Sequence, residues 1–181
     1  MTRSVMNAHY SRVAIAFHWT IALLVIVNLM TGLLHDAVPV FRAWMPGHKS
    51  IGITVLFLTL ARLAWRLTHR APPLPATMPG WERAAAHAAH WALYALLVLL
   101  PLSGWAMSSG SAKRRPLDWF GMFDIPYLPV SQATGGIGHD AHGLLGWLML
   151  VLVAVHAAAA LRHHFLLRDG VLARMIPALA R

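Results

Sequence analysis

The chain has 181 residues, of which 58% are apolar and only 12% charged, with a formal charge of +9, twelve histidines and no cysteine. A soluble domain usually carries about twice that charged fraction, so the composition excludes an ordinary soluble enzyme. The lack of cysteine excludes disulfides, iron–sulfur clusters and covalently attached c-type haem.

Apolar blocks long enough to cross hydrocarbon follow one another along the chain. The opening MTRSVMNAHYSR has no apolar run ending in a small-residue cleavage site, so the first block, residues 13–34, is expected to be a retained span. The second span is expected over 48–67. The Pro-rich APPLPATMPG that follows cannot be helical throughout. The third is expected over 85–107, kinked at Pro101. The connection 108–137 is the longest and carries Lys113, Arg114, Arg115 and the pair Gly135–Gly136. The fourth span is expected over 139–161, and the tail 170–181 as a short interfacial amphipathic helix. The expected fold is therefore an all-α integral membrane protein, a single domain over 1–181 built as a four-transmembrane-helix bundle.

The basic residues set the orientation. The N-terminus, the second connection and the C-terminus hold Arg3, Arg12, Arg62, Arg66, Arg70, Arg83, Arg162, Arg168, Arg174 and Arg181, against Arg42, Lys49, Lys113, Arg114 and Arg115 on the other side. The richer side is cytoplasmic, so both termini are expected there. Because the charge lies next to span ends, it points to membrane lipid and not to nucleic acid. Most tryptophans also fall near span ends, as an aromatic belt does.

With that orientation each histidine acquires a depth. His142 and His156 lie fourteen residues apart on the fourth span, close to four turns, so they share a face with a rise of about 21 Å. His18 matches His156 toward the cytoplasm, and His48 matches His142 toward the outside. Polar side chains at membrane depth are costly unless partnered. Four that pair by depth across three helices read as two sets of facing axial ligands to metal, an inner pair His18/His156 and an outer pair His48/His142. Zinc and copper sites prefer ligands gathered in one place, often with Cys or carboxylate. Haem needs only two protein ligands, so two non-covalent haem groups are expected. Gly52, Gly143, Gly146 and Ala157–Ala160 are the small residues expected to make room for them. His87, His90 and His139 are secondary candidates, whereas His9, His35, His69, His163 and His164 are read as solvated. A histidine-lined metal or proton transporter would need a polar path, and the spans offer no central carboxylate.

YSRVAIAFHW in the first span, GHKSIGITVLFLTLARLAWRL in the second, HAAHWALYALLVLLPLSGW in the third, and the fourth-span histidines followed by HAAAALRHHFLLRDGVLARMIP resemble the bacterial cytochrome b561 family, over nearly the whole chain. The resemblance implies a four-helix, di-haem b protein of the bacterial inner membrane, with His18, His48, His142 and His156 at the ligand positions. It further implies electron transfer between a small anionic or protein donor and membrane ubiquinone. Some members look like superoxide oxidases, so this chain is expected to be an oxidoreductase of that kind. The alternative is a cytochrome b subunit anchoring a periplasmic dehydrogenase or hydrogenase. Arg42, Lys49, Lys113, Arg114 and Arg115 would form a basic outer rim that steers an anionic substrate.

Overall fold

The computed structural model describes residues 10–69, 71–75 and 77–179. Arg3, His9, Arg70 and Arg181, used above for orientation or read as solvated, lie outside the described residues.

Ser11 opens α1 (Arg12–Leu34), its Oγ accepting a hydrogen bond from Ala14 N at 3.2 Å. That satisfies one of the amides that every helix start leaves free. The helix has 23 residues, a length of about 34 Å against a hydrocarbon core of about 30 Å. A one-turn helix, α2 (Pro39–Ala43), leads into α3 (Met45–Thr68). The remaining spans are α4 (Gly80–Gly110) and α5 (Gln132–Arg162), each of 31 residues. All four long helices are apolar and long enough to cross a membrane. Pro101 sits inside α4, which continues through it.

The helices run alternately up and down. α5 lies along α4, α1 along α3, and α3 against α4, whereas α1 and α5 touch little. Ile21, Val25 and Leu29 recur every four residues on α1 and meet Ile51 and Val55 of α3, Tyr94, Leu96 and Leu97 of α4, and Met149 of α5. Leu23, Ile26, Phe57, Leu144, Val151 and Val155 remain exposed on the outside of the bundle. On a membrane protein that is the lipid-facing surface.

The connection from α4 to α5 is shorter than the sequence suggests, and it is ordered. It holds a small antiparallel hairpin, β1 (Asp118–Trp119) and β2 (Phe123–Asp124). Ser50 Oγ of α3 donates to Asp118 O at 3.0 Å and accepts from Phe120 N at 3.0 Å. Trp119 Nε1 donates to Thr54 Oγ1 at 3.0 Å. A second apolar cluster of Ile53, Leu117 and Ile125, packed with Trp105, Trp119 and Tyr127, seals the hairpin onto the bundle. Gly135 and Gly136, expected in the connection, belong to α5. A Cβ on Gly110 would lie 2.7 Å from Gly135 Cα, so α4 and α5 meet backbone to backbone there.

The tail is not the amphipathic α-helix expected over 170–181. After a π-helical turn at His163–Leu167 it makes two single 3-10 turns, Leu172–Arg174 and Pro177–Leu179. The Pro177 ring, which lacks an N–H donor, does not suit a continuous helix. Trp19 Nε1 donates to Met175 O at 2.9 Å and ties the tail beneath α1.

Candidate functional site

Both depth-matched histidine pairs come together. The rings of His48 (α3) and His142 (α5) have centroids 6.0 Å apart near the hairpin end. Those of His18 (α1) and His156 (α5) are 6.2 Å apart near the end that carries the chain termini. In each pair the two rings lie steeply inclined to each other, at 79° and 66°.

The outer pair is held by neutral acceptors. His48 Nδ1 is 3.1 Å from Thr31 Oγ1, whose own hydroxyl donates to Val27 O at 3.0 Å. Thr31 therefore accepts from His48 Nδ1–H. His142 Nδ1 donates to Leu100 O at 3.0 Å and is 3.2 Å from Ser103 Oγ, which also donates to Leu100 O, at 2.7 Å. These contacts fix the Nδ1–H tautomer in both residues and turn each Nε2 lone pair away from the protein's own donors. Asn28 Nδ2 donates to His48 O at 3.1 Å and steadies the α3 backbone at the same level.

Two glycines clear the space that these rings occupy. A Cβ at Gly32 would lie 2.8 Å from His48 Cε1, and one at Gly104 would lie 2.9 Å from His142 Cε1. The sequence reading missed both. It singled out Gly143, which has open space beside it, Gly146, which meets Leu33, and Gly52, which meets Asn28. Ala157, Ala158 and Ala159 are exposed on the outside of the bundle.

The inner group differs in kind. His18 Nδ1 faces Arg62 Nη1 at 3.4 Å. His90 joins the cluster, its ring centroid 5.5 Å from that of His156, whereas His87 is exposed. Beside it opens a cleft of about 360 Å³ lined by Tyr10, Arg62, Trp65, Arg66 and Tyr94, with Met175 of the tail. The Arg62 and Arg66 guanidinium carbons lie 5.5 and 5.9 Å from the Tyr94 ring centre. Among the described residues, none lining this cleft is acidic, and the buried Trp65 Nε1 and Thr59 Oγ1 have no hydrogen-bond partner.

His163, read as solvated, is buried. Its Nδ1 meets Asp169 Oδ2 at 2.5 Å, and Asp169 Oδ1 accepts from Val171 N at 3.2 Å. A pairing six residues along the chain across a π-helical turn leaves no periodic trace in sequence. His139 is exposed, with Nδ1 3.2 Å from Met107 Sδ. The five basic residues of the expected rim all lie at the hairpin end. Arg42 pairs with Asp36 at 3.8 Å and Lys49 Nζ donates to Pro116 O at 3.4 Å. Arg114 stacks over Tyr127 at 5.0 Å, and Lys113 and Arg115 are exposed beside it.

The sequence matches the family described as prokaryotic cytochrome b561 over residues 9–178. It is 35% identical to cytochrome b561 homolog 2 of Escherichia coli over 173 residues, 92% of this chain and 90% of that one. It is 32% identical to a probable superoxide oxidase of Yersinia pestis over 179 residues, 95% and 98% of the two chains. A cytochrome b562 of Cereibacter sphaeroides is 32% identical over 177 residues, 92% and 94% of the two. With four membrane-length helices and this match, the chain belongs to the prokaryotic cytochrome b561 family, haem b proteins that transfer electrons within a bacterial membrane.

Proposed function

We propose that this chain carries electrons across the bacterial inner membrane, with one haem b held by His18 and His156 and a second by His48 and His142. The observation that carries the reading is the pair of ring separations, 6.2 and 6.0 Å. An imidazole nitrogen lies about 2 Å from a bound metal, so two rings ligating opposite sides of one ion have centres roughly 6 Å apart. The engaged Nδ1 atoms of His48 and His142, the cleared backbone at Gly32 and Gly104 and the unpartnered Thr59 are consistent with a bulky group at each level. Held by His18 with His156 and by His48 with His142, two such groups would supply one-electron carriers at two depths, a chemistry suited to electron transfer over oxygen activation.

The hairpin end is periplasmic in this reading and the termini are cytoplasmic, in keeping with the distribution of Arg and Lys. The electron donor is superoxide, as the name of the Yersinia relative suggests, concentrated by Arg42, Lys49, Lys113, Arg114 and Arg115. Ubiquinone is the acceptor, and its head group suits the inner cleft, where Trp65 Nε1 and two guanidinium groups offer donors to quinone oxygens. For each quinone reduced, two superoxide anions each lose one electron and leave as dioxygen, and two protons are taken up to give the quinol. The second reading, an anchor for a periplasmic dehydrogenase or hydrogenase, draws on the exposed Phe120, Met122 and Phe123 at the hairpin tip.

The testing experiment is a redox difference spectrum with pyridine haemochrome quantitation on purified protein. Two b-type haems per chain are expected, and superoxide should reduce them without any added subunit. One haem or none would overturn the two-pair assignment. A soluble subunit that co-purifies and is required for reduction would favour the second reading.

A further inference from the structure

The two histidine pairs are built with opposite electrostatics. At the outer pair both Nδ1 atoms face neutral oxygens that accept a hydrogen bond, Thr31 Oγ1 for His48 and Leu100 O for His142. Donating that proton to an acceptor makes an imidazole a better electron donor to a metal, which favours the oxidised ion. At the inner pair His18 Nδ1 faces a guanidinium at 3.4 Å. Arginine has donors only and stays charged, so it takes no proton from His18 and cannot strengthen the ring as a ligand. It adds a half-buried positive charge, which favours the ion that has gained an electron. Arg66 lies over the same Tyr94 ring, its guanidinium carbon 5.9 Å from the ring centre, but it is exposed and adds less.

Acidic residues do not cancel this charge. The described carboxylates at that end are engaged elsewhere, Glu82 with Arg162 at 3.1 Å and Asp169 with His163 at 2.5 Å. Cations exist at the outer end too, but they act more weakly. Lys49 is half-buried and keeps its charge, but its ammonium lies at Pro116 O, whereas the Arg62 guanidinium meets the His18 ring itself. Lys113, Arg114 and Arg115 are exposed, where salt screens them.

We infer that Arg62 is a positioning and tuning residue that raises the reduction potential of the inner haem above that of the outer one, so that the protein itself biases electrons inward. The inference rests on the two-haem reading above. The asymmetry lies in the chain's own hydrogen bonding and persists whichever donor and acceptor are present.

The test is a spectroelectrochemical titration of purified, quinone-depleted holoprotein, comparing wild type with Arg62→Gln, Arg62→Lys and the outer variant Thr31→Val. Wild type should show two one-electron waves. Arg62→Gln should lower the upper wave by at least a tenfold change in equilibrium, 59 mV for one electron, and leave the lower wave in place. Arg62→Lys, which keeps the charge, should restore most of that shift. Thr31→Val should raise the lower wave only. If Arg62→Gln does not accumulate, Arg62→Met, which keeps the length of the side chain without its charge, takes its place. The inference is overturned if Arg62→Gln moves the lower wave or neither, if Lys behaves like Gln, or if the outer variant raises the upper wave. Fewer than two haems in wild type would instead overturn the two-haem reading, and this inference with it.

Discussion

The His142 ring rests against the backbone of Gly104, where an added Cβ would come within 2.9 Å of its Cε1 atom. The contact is between helices α4 and α5, which pack closely along their length. The neighbour that would have to yield is a ring already fixed by its Nδ1 bond to Leu100 O. Gly104→Ala should therefore displace the ring at a cost of about 1–3 kcal/mol. In the proposed reading, haem content should fall toward one per chain while the helical content stays unchanged. Pyridine haemochrome and circular dichroism check both. Two haems retained by the variant would show that the ring has room to move.

Gly32→Ala should do the same to His48, whose Cε1 would lie 2.8 Å from the new methyl group. If the two glycines serve one outer site, each single substitution should bleach the same spectral component. Loss of different components would mean that His48 and His142 do not act together.

The inner cluster contains three histidines, and the ring distances permit His156 to pair with either His18 or His90. We expect His18→Ala to lose the inner haem and His90→Ala to keep both. The reverse outcome, read from haem stoichiometry in the two variants, would reassign the ligand to α4.

Neutralising Lys113, Arg114 and Arg115 together to Gln should slow reduction by superoxide and flatten its dependence on ionic strength. Exposed cations act on encounter rates, and steered association can exceed the unsteered rate by about tenfold or more. Unchanged stopped-flow kinetics would remove the basic loop from the mechanism.

Trp65→Phe removes the buried indole N–H that has no partner within the protein. If that donor serves the quinone head group, the variant should raise the KM for a soluble quinone analogue several-fold, since one hydrogen bond contributes about 1 kcal/mol. The haem spectra should not change. An unaltered KM would leave the cleft without its assigned occupant.

The bundle was legible in sequence because hydropathy and span length are properties of consecutive residues. The helix ends were not, since α4 begins at Gly80 and α5 at Gln132, in stretches whose small, polar or charged residues no longer read as apolar. The pairing of histidines by depth was also legible, because a helix converts residue spacing into height. Its supporting residues were hidden. Thr31 and Ser103 read as ordinary span residues, and Gly32 and Gly104 lie far in sequence from the rings they accommodate. Of the small residues that adjoin the histidines in sequence, Gly146 and Gly52 meet other side chains, whereas Gly143 has open space beside it. His163 looked like one more interfacial histidine because its partner depends on a π-helical turn that brings Asp169 back under it.

Ser50 gives the hairpin a consequence for how the protein is made. Strands of two residues are far too short to hold together alone. The hairpin's order is borrowed from α3, through Ser50 and Thr54. The ribosome completes α3 before it begins the hairpin, so the receiving hydroxyls are already synthesised when Asp118–Asp124 emerges. The hairpin end is thus assembled by docking onto a span laid down earlier, and an insertion error in α3 would deprive the distant loop of its template.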